Sequence, residues 1–373
     1  MANQPGNVWT EERIAALRMV RCLEFGSRTL NRIFDAYPDS RVFLESESAW
    51  TDLRLNAGQK TSLARSIRNP IEPLLKELER DNTRFLLPVD EEFPDVLKQT
   101  SDPPASLFVR GAECVIGEIR IAIVGTRKPT SYGRHCATFF GRELAQAGFT
   151  IVSGLALGID GCSHKGCLEA GAKTVAVLPG GTDDPSIVPQ THLKLAHLIL
   201  EHGGSIVSEN PPGTPTLPFQ FLTRNRLIAG LARATIVVEA PHESGALTTA
   251  KCAAEEGREV LAVPGSILSE FSRGCHALIR DGAKPCTTVD DVISALNLKS
   301  AKETARIREA RSTLPVSRDE SLILAGLAEP KSVDDLARVS GLAMAKTNAL
   351  LSILELKGIV IAVGPKTYAK TKI

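Results

Sequence analysis

Strong net charge is missing from this chain. Its 44 lysines and arginines stand against 43 aspartates and glutamates, leaving +1 at neutral pH. No global basic field therefore argues for nucleic acid, and such a case must rest on local clusters. Long apolar runs are missing too. No stretch reaches membrane-spanning length, and the opening "MANQPGNVWTEER" has no apolar h-region. The expected location is the cytoplasm, with no membrane partner. The eight cysteines include no C-x-x-C pair. Without a secretion signal they read as reduced, mostly buried thiols. The nearest approach to a metal site is "CSHKGC", with His164 between Cys162 and Cys167. On a helix those cysteines lie about 140° apart around the axis, which suits one metal poorly. No metal and no cofactor are expected. Aromatic residues make up only 5% of the chain, which limits stacking platforms.

At 373 residues the chain is too long for one ordinary domain. Residues 8–80 carry apolar residues at helical spacing, as in "ERIAALRMVRCLEF" and "TLNRIFDAYPD". Gly26 and Ser27 sit between two of these helices. That is the shape of a helix-hairpin-helix whose turn amides hold phosphate; a plain helical bundle fits equally well. From 84 to 296 the pattern becomes α/β. Pro94, Pro103 and Pro104 break its first part, in which "ASLFVRG" is a short strand. Then "IAIVG", "FTIVSG", "KTVAVLPG", "GSIVSE", "ATIVVEA" and "EVLAVPG" read as buried parallel strands separated by helices. The prediction is a doubly wound sheet with its ligand at the carboxyl ends of the strands. Residues 297–317 read as a linker with some helical content. Residues 318–373 predict three helices and a two-strand hairpin closed by a "GPK" turn, the order of a winged helix. Ser332 and Asp335 form a helix-start signal. The third helix offers only Lys346, Lys357, Thr347 and Asn348 to a duplex, which favours a protein-contact or degenerate role over groove reading.

The unusual residues gather at strand ends. "IVGTRKPTSYG" places Gly125, Thr126, Arg127, Lys128, Thr130, Tyr132 and Gly133 where a dinucleotide loop has glycines. From Ile119 to Arg142 there are five cations and no acid. "SGLALGID" supplies Ser153, Gly154 and Gly158, with Asp160 as a cap for the next helix. Between Pro211 and Val238 there is again no acid, and Arg224, Asn225 and Arg226 lie within that stretch. "HESGALTTA" adds Ser244, Gly245 and Thr248. Glycines let backbone amides reach a ligand, hydroxyl-bearing turns at helix N-termini present orphan donors to anions, and arginines fork onto phosphate oxygens. Together they predict a phosphate-bearing ligand. The alternative for Arg127 is an internal ion pair with Asp160 or Glu239.

These motifs, with "VAVLPGGTD", "SENPPGTP", "RNRLIAGLARATIVVEA", "SGALTTAKCAAEEGREVLAVPG" and "LIRDGA", resemble the DNA-processing protein A (DprA/Smf) family across the α/β segment. The flanking segments are similar to its usual SAM-like or helix-hairpin-helix-like and winged-helix-like domains. The resemblance implies an extended Rossmann fold that binds single-stranded DNA, a homodimer, and a RecA partner. It also implies a role in natural transformation, protecting incoming strands and loading RecA. One departure concerns the segment after the third strand. "DPSIVPQTHLKLA" lacks the Tyr and Asn common in the family, leaving Lys194 as its nearest cation.

Two other functions compete. "LPGGTDD" faintly resembles the loop of phosphoribohydrolases, so a nucleotide-processing hydrolase would draw on Asp160, His164, Glu209 and Glu239. No carboxylate pair there has a spacing that this chemistry demands, and the expectation is a non-enzyme. A transcription regulator would rest on the winged-helix tail alone. His164 reads better as a helix-cap or core residue than as a base. Phe219, Phe221 and Tyr132 are the aromatics best placed for base stacking.

Overall fold

The computed structural model describes residues 8–112, 119–298, 318–327, 329–356, 360–364 and 367–370. It divides into two compact units, Met1–Ile307 and Arg308–Ile373. Most of the expected linker, Lys357 and the Pro365–Lys366 part of the "GPK" turn lie outside the described residues.

The first unit begins with six helices: Glu11–Val20, Ser27–Ala36, Ser40–Glu45, Glu47–Asp52, Ala57–Arg68 and Glu72–Arg80. Local chemistry explains several of their ends. Asn56 and Gln59 form a reciprocal capping box. The Arg18 guanidinium donates to the carbonyls of Ser66 (2.6 Å) and Asn69 (2.8 Å), satisfying the orphan acceptors where Ala57–Arg68 ends. Leu17, Ile33, Phe43, Leu63 and Leu78 are fully buried and share one cluster with Phe85 and Phe108. Those two phenylalanines belong to the sheet, so the helical layer is anchored on the sheet's edge. Burial at about 1.5–3 kcal/mol per large side chain makes this packing the main local stabiliser.

Among the described residues nine strands form the sheet: β1 Thr83–Leu86, β2 Leu107–Gly111, β3 Arg120–Val124, β4 Thr150–Ser153, β5 Thr174–Val177, β6 Ser205–Ser208, β7 Ala234–Val237, β8 Glu259–Ala262 and β9 Lys284–Pro285. Their order is β1-β2-β6-β5-β4-β3-β7-β8-β9. The run from β6 to β9 is parallel, while β1 and β2 pair antiparallel at the β6 edge. All six expected strands are present as β3 to β8. Every residue of β3 is buried because both faces are covered. Ile121 and Ile123 enter one core cluster with Phe140 and Leu144. Ala122 and Val124 enter the other with Leu227 and Ala250. This is the period-two alternation of a strand. It also shows that helix Ser131–Gln146, which follows β3, covers one face, whereas helices Pro218–Leu231 and Gly245–Glu255 cover the opposite one. The chain thus leaves β3 and β7, which are neighbours, toward opposite faces. A crevice opens between their carboxyl ends, at the topological switch point.

The second unit has helices Arg318–Gly326, Val333–Ser340 and Met344–Leu356 over a core of Ile323, Leu336, Leu351, Leu354 and Val360. Among the described residues its sheet has three strands, not the expected two: β10 Lys331–Ser332, β11 Val360–Gly364 and β12 Thr367–Lys370, in the order β10-β12-β11. Ser332 caps its helix, accepting from the Asp335 amide at 3.2 Å. On the third helix Thr347 is buried, its hydroxyl donating to the Ala343 carbonyl. Lys346 pairs with Asp319 at 2.7 Å. Two of the four polar groups expected to meet a partner are therefore engaged inside this unit.

Candidate functional site

The turn after β3 is held tightly from below. The Thr126 amide donates to the Glu239 carbonyl at 2.7 Å, and the Thr126 carbonyl accepts from the Ile159 amide at 3.2 Å. A side chain at Gly125 would collide with the Glu239 backbone and Ile159, so glycine lets β3, β7 and the next helix converge. The pinned backbone presents Arg127 and Lys128 outward, both exposed. The Arg127 guanidinium stacks over the Phe221 ring at 4.4 Å. It forms no ion pair with Asp160 or Glu239, whose hydrogen bonds go to other groups. Tyr132 donates to the Pro264 carbonyl at 2.7 Å, and burial foremost pushes its phenol up to about 12.

Two expected anion donors are already taken. Thr130 caps helix Ser131–Gln146, accepting from the Gly133 amide at 3.2 Å. Its own amide and hydroxyl donate to the Glu239 carboxylate at 2.9 and 2.6 Å. Glu239 is buried and fills the space that a side chain at Gly133 would need. The helix N-terminus expected to attract a phosphate thus holds a carboxylate of the protein itself. Asp160 serves the neighbouring turn in a similar way. It is the second residue of helix Ile159–Glu169, whose N-cap is Gly158, and it accepts from the Gly154 amide at 3.1 Å. Burial raises its carboxyl above the ordinary value, against the pull of Arg224. Gly158, at φ +81°, lets the backbone pass close to Thr126. Ser153 is buried and donates to the Ile123 carbonyl.

Arg224 and Arg226 part company. Arg224 is 5% exposed, and its Nη1 donates to the carbonyls of Gly154 (2.8 Å) and Val177 (2.5 Å). Gly154 must be glycine because the guanidinium occupies its side-chain space. Burial pushes Arg224 down to about 10, so it stays cationic at neutral pH, and its Nε has no hydrogen-bond partner among the described residues. Arg226 lies on the other side of the helix. It grips Glu209 at 2.6 and 2.7 Å and Asp102 at 3.2 Å. Two residues correspond to about 200° of helical rotation, so the two side chains face different ways. Glu209 also accepts from Ser27 at 2.7 Å, which places a carboxylate, not an open phosphate seat, at the expected helix-hairpin-helix turn.

A cleft of about 830 Å³ occupies the switch point. Of the expected residues it is lined by Gly125, Thr126, Arg127, Lys128, Arg224, Asn225, Ser244 and Gly245. Asn225 donates to the Gly245 carbonyl at 3.2 Å and Ser244 caps helix Gly245–Glu255, so both hold this wall in place. Thr249, not Thr248, turns to the cleft, a shift of one residue or about 100°. Asp160, Phe221, Glu243 and Phe271 also line it. Behind the Arg127–Lys128 turn lies a second hollow of about 430 Å³. Arg134, Lys165 and His192 join the two turn cations there, and among the described residues its lining includes no carboxylate. The signal for Lys165 was present in "CSHKGC", but only the fold brings it beside Arg127. Lys194 is exposed on helix Leu193–Glu201 and lines neither hollow. The "LPGGTDD" loop packs elsewhere. The Gly181 amide donates to the Thr214 carbonyl, and Asp183 accepts from the Gly213 amide at 2.7 Å. His164 is buried and its Nδ1 meets the Thr174 hydroxyl at 2.8 Å. The seven described cysteines are free; Cys22, Cys167, Cys275 and Cys286 are buried, and the other three half-buried. Among the described residues no cluster of three His, Cys, Asp or Glu is placed to hold a metal ion, and no helix is long and apolar enough to cross a membrane.

Comparison with known proteins agrees with this architecture. The family model of DNA recombination-mediator protein A matches residues 84–297, and that of the DprA winged helix domain matches residues 308–364. Protein Smf of Escherichia coli is 38% identical over 311 residues, covering 82% of each chain. DNA processing protein DprA of Bacillus subtilis is 37% identical over 249 residues, 65% of this chain and 83% of the relative. The X-ray structure of DNA processing protein A from Streptococcus pneumoniae superposes with a TM-score of 0.66 at 31% identity, covering 77% of this chain and 98% of that one. A structure of DNA processing protein A from Helicobacter pylori, described for its single-stranded DNA binding mode, gives a TM-score of 0.51 at 28% identity, covering 58% and 96%. With the family match spanning more than half of its length, the chain belongs to the DNA recombination-mediator protein A (DprA/Smf) family.

Proposed function

We propose that this protein binds single-stranded DNA across the Arg127–Lys128 turn, one phosphate on each side, as a recombination mediator without catalytic turnover. The observation that carries the reading is the pair of hollows meeting at that turn, the rear one cationic and, among the described residues, free of lining carboxylates. A ligand with phosphates at regular spacing engages both, whereas a mononucleotide needs only one. Arg224 at the floor of the front cleft and the exposed Arg127 and Lys128 at its rim supply the charge. Family membership supports a role in processing DNA during transformation. Protection of incoming strands, loading of RecA, homodimer formation and a cytoplasmic location complete the proposal.

The hydrolase reading has less to draw on. Glu239 is seated on Thr130, Glu209 on Arg226, and His164 is buried with its imidazole pushed down to about 3, chiefly by burial. Of these four groups Asp160 alone lines the cleft, where Glu243 is the other lining carboxylate among the described residues. The test is a salt titration with single- and double-stranded oligonucleotides of equal length. Single strands should bind more tightly, and log affinity should fall against log salt by about 0.7 for each phosphate neutralised. Equal affinity for duplex, or a flat salt response, refutes the reading. ATP, nucleoside monophosphates and the oligonucleotides should be recovered intact; product formation lost in Glu239→Gln would favour the hydrolase.

A further inference from the structure

On the far side of helix Pro218–Leu231 lies a third hollow, of about 320 Å³, between that helix and the helical layer. Its character differs from that of the two phosphate hollows. Phe25, Leu217 and Phe219 give it apolar walls, and Glu209, Asp102 and Arg226 form its polar side. Arg226 is committed to both carboxylates, and Arg28, which also lines the hollow, pairs with Asp102 at 3.2 Å, so among the described lining residues two cations are matched by two carboxylates and none is in surplus for a phosphate. The carboxylates keep unused acceptor capacity, since each oxygen accepts two hydrogen bonds. Phe219 is 61% exposed. Its neighbour Phe221 already carries the Arg127 guanidinium on its face, and the Tyr132 hydroxyl is tied to Pro264. Phe219 therefore offers a free aromatic face on the first turn of the helix whose other side, through Phe221 and Leu222, lines the main cleft.

The geometry points to a nucleobase subsite in this hollow: one base of a strand held in the main cleft crosses the start of helix Pro218–Leu231 and stacks on Phe219. Its exocyclic amine donates to Glu209 or Asp102. Carboxylates accept from base amines, so cytosine and the amino-bearing purines fit better than thymine, whose pairing edge has one donor between two carbonyls. This assignment rests on the single-strand reading above and deepens it. It adds a mild preference for base type to a contact otherwise made through phosphates.

The experiment compares wild type, Phe219→Ala, Phe219→Trp and Arg127→Ala on three strands of equal length: oligo-dC, oligo-dT and a fully abasic strand. Phe219 is exposed, so its truncation leaves the fold intact. Phe219→Ala should weaken oligo-dC binding about tenfold, within the range for one stacked base. It should weaken oligo-dT less and leave the abasic strand unchanged. Phe219→Trp should restore oligo-dC binding. The subsite is refuted if Phe219→Ala binds oligo-dC within twofold of wild type, or loses as much on the abasic strand. Arg127→Ala separates the two ideas. If it leaves binding of all three strands unchanged, the single-strand reading itself fails; if it weakens all three while Phe219→Ala changes none, only the subsite fails.

Discussion

Replacing Arg127 by alanine separates a ligand contact from a fold contact. The guanidinium is exposed, stacks on Phe221 at 4.4 Å and forms no ion pair among the described residues. Its loss removes one exposed cation–π contact, about 0.5–1 kcal/mol. The folded protein should therefore melt within about 2–4 °C of wild type. A charge-assisted hydrogen bond to phosphate contributes more, about 1.5–3 kcal/mol. Single-strand affinity should fall about ten- to a hundredfold. The salt slope should flatten by about 0.7, the share of one phosphate. Arg127→Lys should recover part of the affinity, because an ammonium keeps the charge and loses both the fork and the flat stacking surface. Fluorescence anisotropy at several salt concentrations and differential scanning calorimetry on the same preparation give both numbers. A large drop in melting temperature with unchanged affinity would refute the reasoning and assign the arginine to the fold.

Three other substitutions have outcomes set by the structure. Arg226→Ala leaves Glu209 without its guanidinium partner and Asp102 with Arg28 alone. The pair is 18% exposed, so the cost should be about 2 kcal/mol, below the 3–5 kcal/mol of a fully buried pair, and urea denaturation should show it. An unchanged midpoint with a flattened salt slope would instead make Arg226 a phosphate ligand. Gly154→Ala drives a methyl group into the Arg224 guanidinium, which two carbonyls hold in place; stability should fall by about 1–3 kcal/mol and single-strand affinity should fall with it. His164 has its folded-state pKa depressed from 6.5 to about 3, so between those values the unfolded chain binds a proton that the folded protein does not. Its contribution is complete above pH 6.5 and is lost as pH falls, at about 1.4 kcal/mol per pH unit. His164→Asn should lose less stability than wild type between pH 7.5 and 5, and equal losses would exclude this histidine as the cause.

Much of the α/β unit was legible because its signals are local. Strands β3 to β8 are short β-branched runs closed by glycine or a turn, and burial on both faces leaves no room for polar alternation. The glycines at 125, 154 and 158 marked close approaches, although sequence alone did not say what approaches them. At 125 it is the Ile159 side chain and the Glu239 carbonyl, at 158 chiefly the Thr126–Arg127 backbone, and at 154 the Arg224 guanidinium. Strands β1, β9 and β10 were missed because they are edge pieces of two to four residues, set by pairing more than by composition.

What the sequence determined by itself was the sheet, its glycine turns and the concentration of cations and hydroxyls near the strand ends. Only the tertiary structure decided which of those groups face a ligand. Glu239 reaches the Thr130 turn from 109 residues away and occupies the helix N-terminus that local reading left open. Arg224 and Arg226 lie in one acid-free stretch, yet one floors the cleft and the other is tied to Glu209 and Asp102. Thr248 and Thr249 differ by a single step of about 100° around a helix axis. Chain chemistry specifies which groups a segment carries. Which way they point, and which partner neutralises them, depends on elements packed against that segment from distant parts of the chain.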